Sequence, residues 1–240
     1  ANLSKGAWNQ AMQKEHPVLG ILGGLGPMST VYFYQMLTEH TPAQCDQDHL
    51  DIVISSRAST PDRTAYILGE SEDDPFAQME RDAEMLVKYG ATILAIPCNT
   101  AHYFYDRLAR SLPVPILNMV RLTVQHAKAQ GCTRLGILAT SGTVGSCTEG
   151  IDFAIPSLPR QTQLMTIIYD QIKKGQRADM KLFMEIADEL RAAGCEKAVL
   201  GCTELSLIKR DEGLDGFFID STEVLAEETL LACGKTPIGF

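Results

Sequence analysis

The stretch PVLGILGGLGPMSTVYFYQML (residues 17–37) decides the fold class of the chain. It begins as a short apolar run, passes through a glycine-rich turn, and continues with apolar residues at helical spacing. The pattern predicts a β-strand, a tight turn and an amphipathic α-helix. A strand followed directly by a helix is the building unit of a parallel α/β fold.

The same order of elements recurs outward from this stretch. LDIVISS and ATILAIP are predicted strands on either side of the predicted helix PFAQMERDAEMLVKYG. The helix VRLTVQHAKAQG then leads to the strand and turn CTRLGILATSGTVGS, the helix DMKLFMEIADELRAAG and the strand and turn CEKAVLGCTEL. This alternation predicts parallel strands joined by crossover helices.

The chain reads as two similar halves. GILG at Gly20 matches GILA at Gly136, and PCNTA around Cys98 matches GCTEL around Cys202, with a different offset for each pair. A duplicated plan with loops of unequal length explains the difference. We expect two pseudosymmetric α/β lobes, at residues 17–117 and 118–220, with the active site in the cleft between them. Residues 221–240 are expected to carry a helix that packs back on the first lobe.

Composition and charge narrow the function. The 240 residues are 45% hydrophobic and 21% charged, which is ordinary for a globular protein. A net charge of -9 argues against nucleic acid and anionic membranes as partners. No apolar run approaches the roughly 20 residues of a membrane-spanning helix. Seven cysteines without a CxxC pair favour a reducing compartment, so we expect a cytoplasmic protein without a zinc site.

Cys98 and Cys202 stand apart from the other cysteines because each directly follows a predicted strand. Ligands of parallel α/β folds bind at the carboxyl ends of the strands, so facing lobes would bring both thiols to one cleft. A lone cysteine would suggest a nucleophile, but only His102 lies nearby and the set is incomplete. A pair of thiols suits proton removal from a carbon on one face and delivery on the other, as in racemisation or epimerisation.

Polar residues follow both cysteines. Asn99, Thr100 and Thr203 lie where helices are predicted to start, and backbone N–H groups at a helix start favour anions. These residues are candidate donors to a substrate carboxylate. Simple capping of the helix ends is the alternative for each of them.

The motifs ILGGLGPMST, TPDRTAYILG, IPCNTAH, LATSGTV, IIYDQIKKG and LGCTEL, in this order, resemble the aspartate/glutamate racemase family, and most closely its aspartate racemase branch. The resemblance covers nearly the whole chain. It implies a two-base enzyme that needs neither a metal nor pyridoxal phosphate, with Cys98 and Cys202 as the proton-transfer pair. It also implies a homodimer and a small dicarboxylic amino acid as the substrate.

The same motif matching implies substrate-binding residues. Arg63 and Lys173 match the family's positions for the distal carboxylate, and Leu25 and Thr143 fall in matching turns. A surface ion pair with a neighbour such as Asp62 is the alternative for Arg63. A solvated helix end is the alternative for Lys173, where Lys174 is an equally ordinary candidate.

Two further features bear on the site. The turn GGLGP lacks the GxGxxG spacing, which excludes a dinucleotide loop, and its proline fits a turn that lets a substrate approach the backbone. After GTVGSC the chain departs from the family pattern, because many members carry a tyrosine at about the position of Glu149 and a longer segment beyond it. Contacts on that side of the cleft are therefore in question.

The leading expectation is interconversion of L- and D-aspartate, with glutamate as a further substrate. Hydantoin racemase, maleate isomerase and arylmalonate decarboxylase types are the nearest alternatives, because they use similarly placed cysteines on other carbon acids. A two-lobed protein that binds a small acid without chemistry is a third reading, in which the cysteines only pack.

Overall fold

Two parallel β-sheets flanked by helices make up the molecule, as seen in a computed structural model that describes residues 16–143 and 150–240. The prediction of two α/β lobes with parallel sheets is confirmed. None of the helices within these two ranges is both long and apolar enough to cross a membrane.

The first sheet has the strand order β2–β1–β3. Its strands are β1 (Val18–Gly23), β2 (Asp51–Ser56) and β3 (Ile93–Ala95), and its helices are α1 (Pro27–Glu39), α2 (Arg63–Ile67), α3 (Phe76–Lys88) and α4 (Tyr105–Ser111). Two 3-10 turns, Asp46–Asp48 and Thr100–Phe104, lie between them. The unit predicted for residues 17–37 is present as β1 and α1.

The second sheet has the strand order β5–β4–β6–β7. Its strands are β4 (Arg134–Leu138), β5 (Asp152–Ala154), β6 (Lys197–Leu200) and β7 (Phe218–Asp220). Its helices are α5 (Met119–Ala129), α6 (Leu158–Thr166), α7 (Met180–Ala192), α8 (Thr203–Glu212) and α9 (Ser221–Ala232). A π-helical turn, Ile167–Gln171, and a 3-10 turn, Ile172–Lys174, follow α6.

The recurring GIL sequence has a packing cause. A methyl group on Gly20 of β1 would lie 2.4 Å from the Leu94 side chain and 3.3 Å from Cβ of Leu86 in α3. A methyl group on Gly136 of β4 would lie 2.8 Å from the Leu190 side chain of α7. In each sheet a leucine of a helix thus lies close to the central strand, and any larger residue at the glycine would have to displace its neighbours.

The last helix joins the two lobes. Leu225 and Leu230 of α9 are fully buried and pack in one cluster with Leu19 of β1 and Phe33 of α1. Burial of one such leucine side chain contributes about 1.5–3 kcal/mol to stability. The helix that follows the second lobe in sequence therefore covers the core of the first.

The edge strands β5 and β7 were not predicted from the sequence. Each has three residues, which is too short to show a period of two. Their places are set by pairing with neighbours: Leu200 of β6 lies opposite Asp220 of β7, for example. The end of β7 thereby comes beside the end of β6, just before Cys202.

Asp220 at the end of β7 is a buried carboxyl group. Its Oδ1 accepts hydrogen bonds from the Ser206 hydroxyl (2.6 Å) and the Thr222 N–H (2.8 Å), while its Oδ2 has no partner within the described residues. Burial, and next the Glu223 carboxylate, raise the pKa of Asp220 to about 6. Folding therefore favours the protonated carboxyl group.

The raised pKa predicts a pH effect on stability. Between about pH 4 and pH 6 the folded state holds this proton and the unfolded state does not, so the free energy of unfolding should fall as the pH rises. Over that range wild type should lose about 2 kcal/mol relative to Asp220→Asn, whose side chain does not titrate. Urea denaturation of both proteins across the range measures the difference, and parallel curves would contradict the prediction.

Candidate active site

Cys98 and Cys202 occupy corresponding places in the two lobes. Cys98 follows β3, and its N–H donates to the carbonyl oxygen of Ile96 (2.8 Å), at the bend that precedes the 3-10 turn. Cys202 is the N-cap of α8 and comes two residues after β6 ends. Both side chains are buried. Each thiol therefore lies beyond the carboxyl end of a parallel strand.

One pocket brings these two thiols together. Its walls are formed by Leu25, Asp62, Arg63, Thr64, Cys98, Asn99, Thr100, Thr140, Tyr169, Lys173, Cys202, Thr203 and Glu204. Its volume is about 20 Å³, which is room for about one water molecule. The pocket collects every residue predicted for the site except Thr143. Thr143 is fully buried behind the wall, where its hydroxyl bonds to that of Thr100 (2.8 Å).

The side chains of Asn99 and Thr100 connect segments instead of capping a helix. Asn99 makes no capping hydrogen bond with its side chain. Its amide nitrogen donates to the hydroxyl of Ser221 (2.9 Å), and the Thr100 hydroxyl bonds to that of Thr140 in the second lobe (2.9 Å). Simple capping, the alternative considered for these residues, is therefore not what their side chains do. Their role as carboxylate donors remains a prediction.

A hydrogen-bonded chain links Cys202, Glu204 and Lys173. The Cys202 thiol donates to Oε2 of Glu204 (2.9 Å), and the Lys173 ammonium donates to Oε1 of the same carboxylate (2.5 Å). Glu204 is buried and Lys173 is half-buried. The carboxylate therefore stands between the sulfur and the ammonium group.

Burial shifts the pKa values at the two ends of this chain in opposite directions, whereas the Glu204 charge raises both. Burial, and next the Glu204 carboxylate, raise the pKa of Cys202 well above its usual range, although the Lys173 charge opposes them. Burial alone would lower the pKa of Lys173, but Glu204 and the sulfurs of Cys202 and Cys98 together outweigh it, so the pKa lies above its ordinary value. Cys202 is therefore a thiol and Lys173 an ammonium group in this structure.

Arg63 enters the pocket from the first lobe. Its guanidinium donates to the carbonyl oxygens of Thr60 (3.2 Å) and Pro61 (2.9 Å), while its buried Nε has no partner in the described part of the chain. The neighbour Asp62 instead caps α2 by accepting the Ala65 N–H (2.8 Å). Within residues 16–143 and 150–240, Arg63 makes no ion pair, so the alternative of a surface ion pair is wrong. A buried donor of this kind is suited to a carboxylate.

The adjacent residues Lys173 and Lys174 lie in different environments. Lys174 pairs with Asp170 on the exposed surface (2.7 Å), whereas Lys173 lines the pocket. Tyr169, one turn earlier, donates its hydroxyl to Asp62 of the first lobe (3.3 Å). Burial raises the pKa of Tyr169 to about 12, so the hydroxyl stays protonated and can make this contact between the lobes.

His102 supports the segment that carries Cys98. Its Nε2 accepts the Met119 N–H (3.1 Å), so Nδ1 carries the hydrogen and donates to the Cys98 carbonyl oxygen (2.8 Å). Burial lowers the pKa of His102, which keeps the ring neutral. The ring therefore holds the backbone beside the cysteine and does not form a Cys–His pair with the thiol.

The glycine-rich turn packs against protein rather than forming an open cradle. A methyl group on Gly24, whose φ is +84°, would lie 2.4 Å from the backbone nitrogen of Arg57. A methyl group on Gly26 would lie 3.1 Å from the Glu204 carboxylate. The turn thus brings backbone close to the pocket. No group of His, Cys, Asp or Glu side chains suited to a metal ion occurs among the described residues.

Comparison with known proteins agrees with this geometry. The model of the Asp/Glu/hydantoin racemase family matches residues 22–229, which is most of the chain. The chain belongs to this family. The resemblance noted in the sequence motifs is thereby confirmed.

Other members of the Asp/Glu/hydantoin racemase family align over most of the chain. The broad specificity amino-acid racemase RacX of Bacillus subtilis is 30% identical over 225 residues, 89% of this chain and 96% of the relative. The solved structure of Picrophilus torridus aspartate racemase is 28% identical, with a TM-score of 0.76, and covers 92% of this chain and 96% of that one. A glutamate racemase of Corynebacterium glutamicum is 27% identical over 62% of this chain and 60% of its own length.

Sequence reasoning missed several pocket residues of this racemase fold. Glu204 and Tyr169 lie inside motifs that were recognised, GCTEL and IIYDQIKKG, but they received no role. The signal for Glu204 was its place in the first turn after a buried cysteine. Thr64 and Thr140 also lie inside recognised motifs, TPDRTAYILG and LATSGTV, and likewise received no role. The predicted loss of a tyrosine near Glu149, like Cys147, lies outside the described residues.

The contact between Glu204 and Cys202 predicts a change in thiol reactivity. Glu204→Gln removes the negative charge that raises the Cys202 pKa. It also frees Lys173, whose positive charge lowers the Cys202 pKa. At a fixed pH near 8, iodoacetamide should therefore alkylate Cys202 several-fold faster in this variant than in wild type. Peptide mass spectrometry over time measures the rate. Glu185→Gln, which breaks a surface pair with Arg160, is the matched control, and equal rates in all three proteins would disprove the coupling.

Proposed function

We propose that the protein is an amino-acid racemase that interconverts L- and D-aspartate by proton transfer between the α-carbon and two cysteines. The observation that carries the proposal is the pocket in which Cys98 and Cys202 lie together with Arg63 and Lys173. Thiols supply the acid and the base, and the two cations suit the distal carboxylate of aspartate. The name of the Picrophilus torridus relative supports the choice of aspartate.

The proposed reaction removes one proton from the α-carbon and adds another to its opposite face. A thiolate at one cysteine takes the α-hydrogen as a proton, and the electron pair left on carbon spreads into the α-carboxylate. The thiol of the other cysteine then donates its proton to the opposite face of that carbon. The first sulfur ends as a thiol and the second as a thiolate. The reverse reaction uses the same groups with their roles exchanged.

The chain from Cys202 to Glu204 supports a division of labour between the sulfurs. Because Cys202 holds its hydrogen toward a carboxylate, it is the thiol partner in the substrate-free enzyme. Cys98 then serves as the first base. When the reaction runs the other way, Cys202 starts as the thiolate and Cys98 as the thiol. Neither step uses pyridoxal phosphate or a metal.

Substrate carboxylates have two sets of donors. The first turn of α8 begins at Thr203 without a side-chain cap, so its N–H groups and helix dipole favour an anion. Arg63 offers a buried guanidinium from the first lobe to the same pocket. In the proposed complex, the α-carboxylate binds near Thr203 and the distal carboxylate near Arg63.

Binding requires the pocket to open. A volume of about 20 Å³ does not admit an amino acid, and typical ligand pockets measure about 300–1,000 Å³. Tyr169 and Asp62 form a hydrogen bond between the lobes at this pocket. We infer that separation of the lobes breaks this bond, admits the substrate, and lets Lys173 exchange Glu204 for a substrate oxygen.

The charge of the pocket favours a broader substrate range as the second candidate. Glu204 and Asp62 balance Arg63 and Lys173, so the walls do not carry the excess of positive charge expected for a strict dicarboxylate site. A relative is named a broad specificity amino-acid racemase. Racemisation of neutral amino acids at rates similar to that of aspartate would favour this candidate.

The proposed reaction predicts hydrogen exchange at the α-carbon. In deuterated solvent, L-aspartate should exchange its α-hydrogen and yield D-aspartate, because each transfer passes through an exchangeable thiol. Cys98→Ala and Cys202→Ala should each lower racemisation at least about 1,000-fold, since loss of either acid–base group stops the cycle. Proton NMR and chiral chromatography follow the two events.

Other outcomes would point elsewhere. Turnover of hydantoins or maleate without turnover of aspartate would indicate one of the related cysteine-pair enzymes. Tight aspartate binding with no exchange in wild type, and with thiols inert to iodoacetamide, would indicate a binding protein. The homodimer and the cytoplasmic location expected from the sequence remain predictions.

Arg63 should determine affinity for the distal carboxylate. Arg63→Gln should raise KM for aspartate about 10- to 100-fold, the usual effect of losing a charged hydrogen bond, and change kcat less. KM for alanine, which lacks that carboxylate, should change little if wild type turns it over. Arg107→Gln, which breaks a surface pair with Asp74, is the control. An unchanged KM for aspartate would show that Arg63 does not bind the substrate.

A further inference from the structure

Ser221 makes two buried hydrogen bonds at the start of α9. Its hydroxyl accepts a hydrogen bond from the side-chain amide of Asn99 (2.9 Å) and donates one to the carbonyl oxygen of Leu200 (2.7 Å). Ser221 is completely buried, and Asn99 and Leu200 are buried as well. A hydroxyl group is suited to this place because it can donate and accept at once.

The two partners of Ser221 belong to the two cysteine-bearing segments. Asn99 directly follows Cys98, and Leu200 ends β6 two residues before Cys202. Within residues 16–143 and 150–240, no hydrogen bond runs directly between positions 98–100 and positions 200–204. Ser221 therefore bridges the two segments from a third part of the chain.

The position of Ser221 does not depend on its own hydroxyl. Ser221 follows Asp220, whose backbone pairs in the sheet opposite Leu200 and whose carboxyl group accepts the Thr222 N–H. Apolar packing of α9 on the first lobe fixes the rest of the helix. The hydroxyl is thus presented by a rigid frame, and its removal should leave that frame intact.

We propose that Ser221 is a positioning residue that sets the placement of Cys98 relative to Cys202. The effect of Ser221 on the reaction rate rests on the proposed function, whereas its effect on the placement of the two cysteines does not. Proton transfer needs the sulfur and carbon held near contact distance and aligned, and a misplacement of about 1 Å can cost about 100-fold in rate. Without the hydroxyl, the Asn99 amide and the Leu200 carbonyl lose a shared partner and the two segments can shift independently.

Kinetics of Ser221→Ala test the proposal. We expect kcat for aspartate to fall about 10- to 100-fold while KM changes less than about threefold, because Arg63 and Lys173 lie outside the two segments that shift. In deuterated solvent, the ratio of deuterium in unreacted L-aspartate to D-aspartate formed should rise. The reason is that one thiol still removes the α-proton while the displaced second thiol delivers its own less often. Ser221→Thr, which keeps the hydroxyl, should restore both values. A drop in kcat with an unchanged deuterium ratio would overturn the proposal.

Thr229→Val is the matched control. It removes another buried hydroxyl from α9, one that bonds to the Leu225 carbonyl oxygen within the helix (2.6 Å). Its racemase kinetics should match wild type, and its thermal stability shows the cost of losing such a hydroxyl. Equal losses of kcat in Thr229→Val and Ser221→Ala would mean that Ser221 acts only through stability. If Ser221→Ala does not fold, Ser221→Cys replaces it in the kinetic assay, because sulfur keeps the shape and weakens both bonds.

A cross-linking measurement separates this inference from the proposed function. Dibromobimane joins two nearby thiols, and peptide mass spectrometry gives the yield of the Cys98–Cys202 link without any turnover. We expect Ser221→Ala to change that yield several-fold and Thr229→Val to leave it unchanged. An unchanged yield in Ser221→Ala would refute positioning even in an active racemase. A changed yield in a protein with no racemase activity would refute the proposed function and leave positioning intact.

Discussion

Parallel strands place their carboxyl ends on one edge of a sheet, and the pocket of this protein depends on two such edges facing each other. Each sheet delivers one cysteine beyond the end of a strand, and the helix that follows supplies N–H groups beside it. The distance between the sulfurs is therefore set by how the lobes pack, not by the length of either loop. For this reason the contacts between lobes matter more to the site than the contacts within them.

Features that depend on local sequence could be predicted from the sequence alone. The strand–turn–helix units, the duplicated plan and the positions of Cys98 and Cys202 follow from periodicity and motif, and all are present in the structure. The partners of the site residues did not follow. Ser221 lies 122 positions from Asn99, and Glu204 meets Lys173 from 31 positions away. Such pairs depend on tertiary packing, which a single sequence does not display.

The carboxylate of Glu204 changes the charge that the pocket presents to a substrate. Counted from sequence, Arg63 and Lys173 made a doubly positive site for a dicarboxylate. In the structure Glu204 holds Lys173 and also receives the Cys202 hydrogen, so one carboxylate sets the charge of the pocket and the protonation of a thiol together. Specificity and acid–base chemistry are consequently coupled, because a substrate that displaces Glu204 from Lys173 also changes the surroundings of Cys202.

The path of α9 has a consequence for the modular design of the molecule. This helix starts beside the cysteine segments and ends in the apolar core of the first lobe, where Leu225 and Leu230 cover β1 and α1. A chain cut after the first lobe would leave that core open to water. The repeated halves are therefore not interchangeable modules, because the first lobe buries its core with a helix that follows the second lobe in the chain.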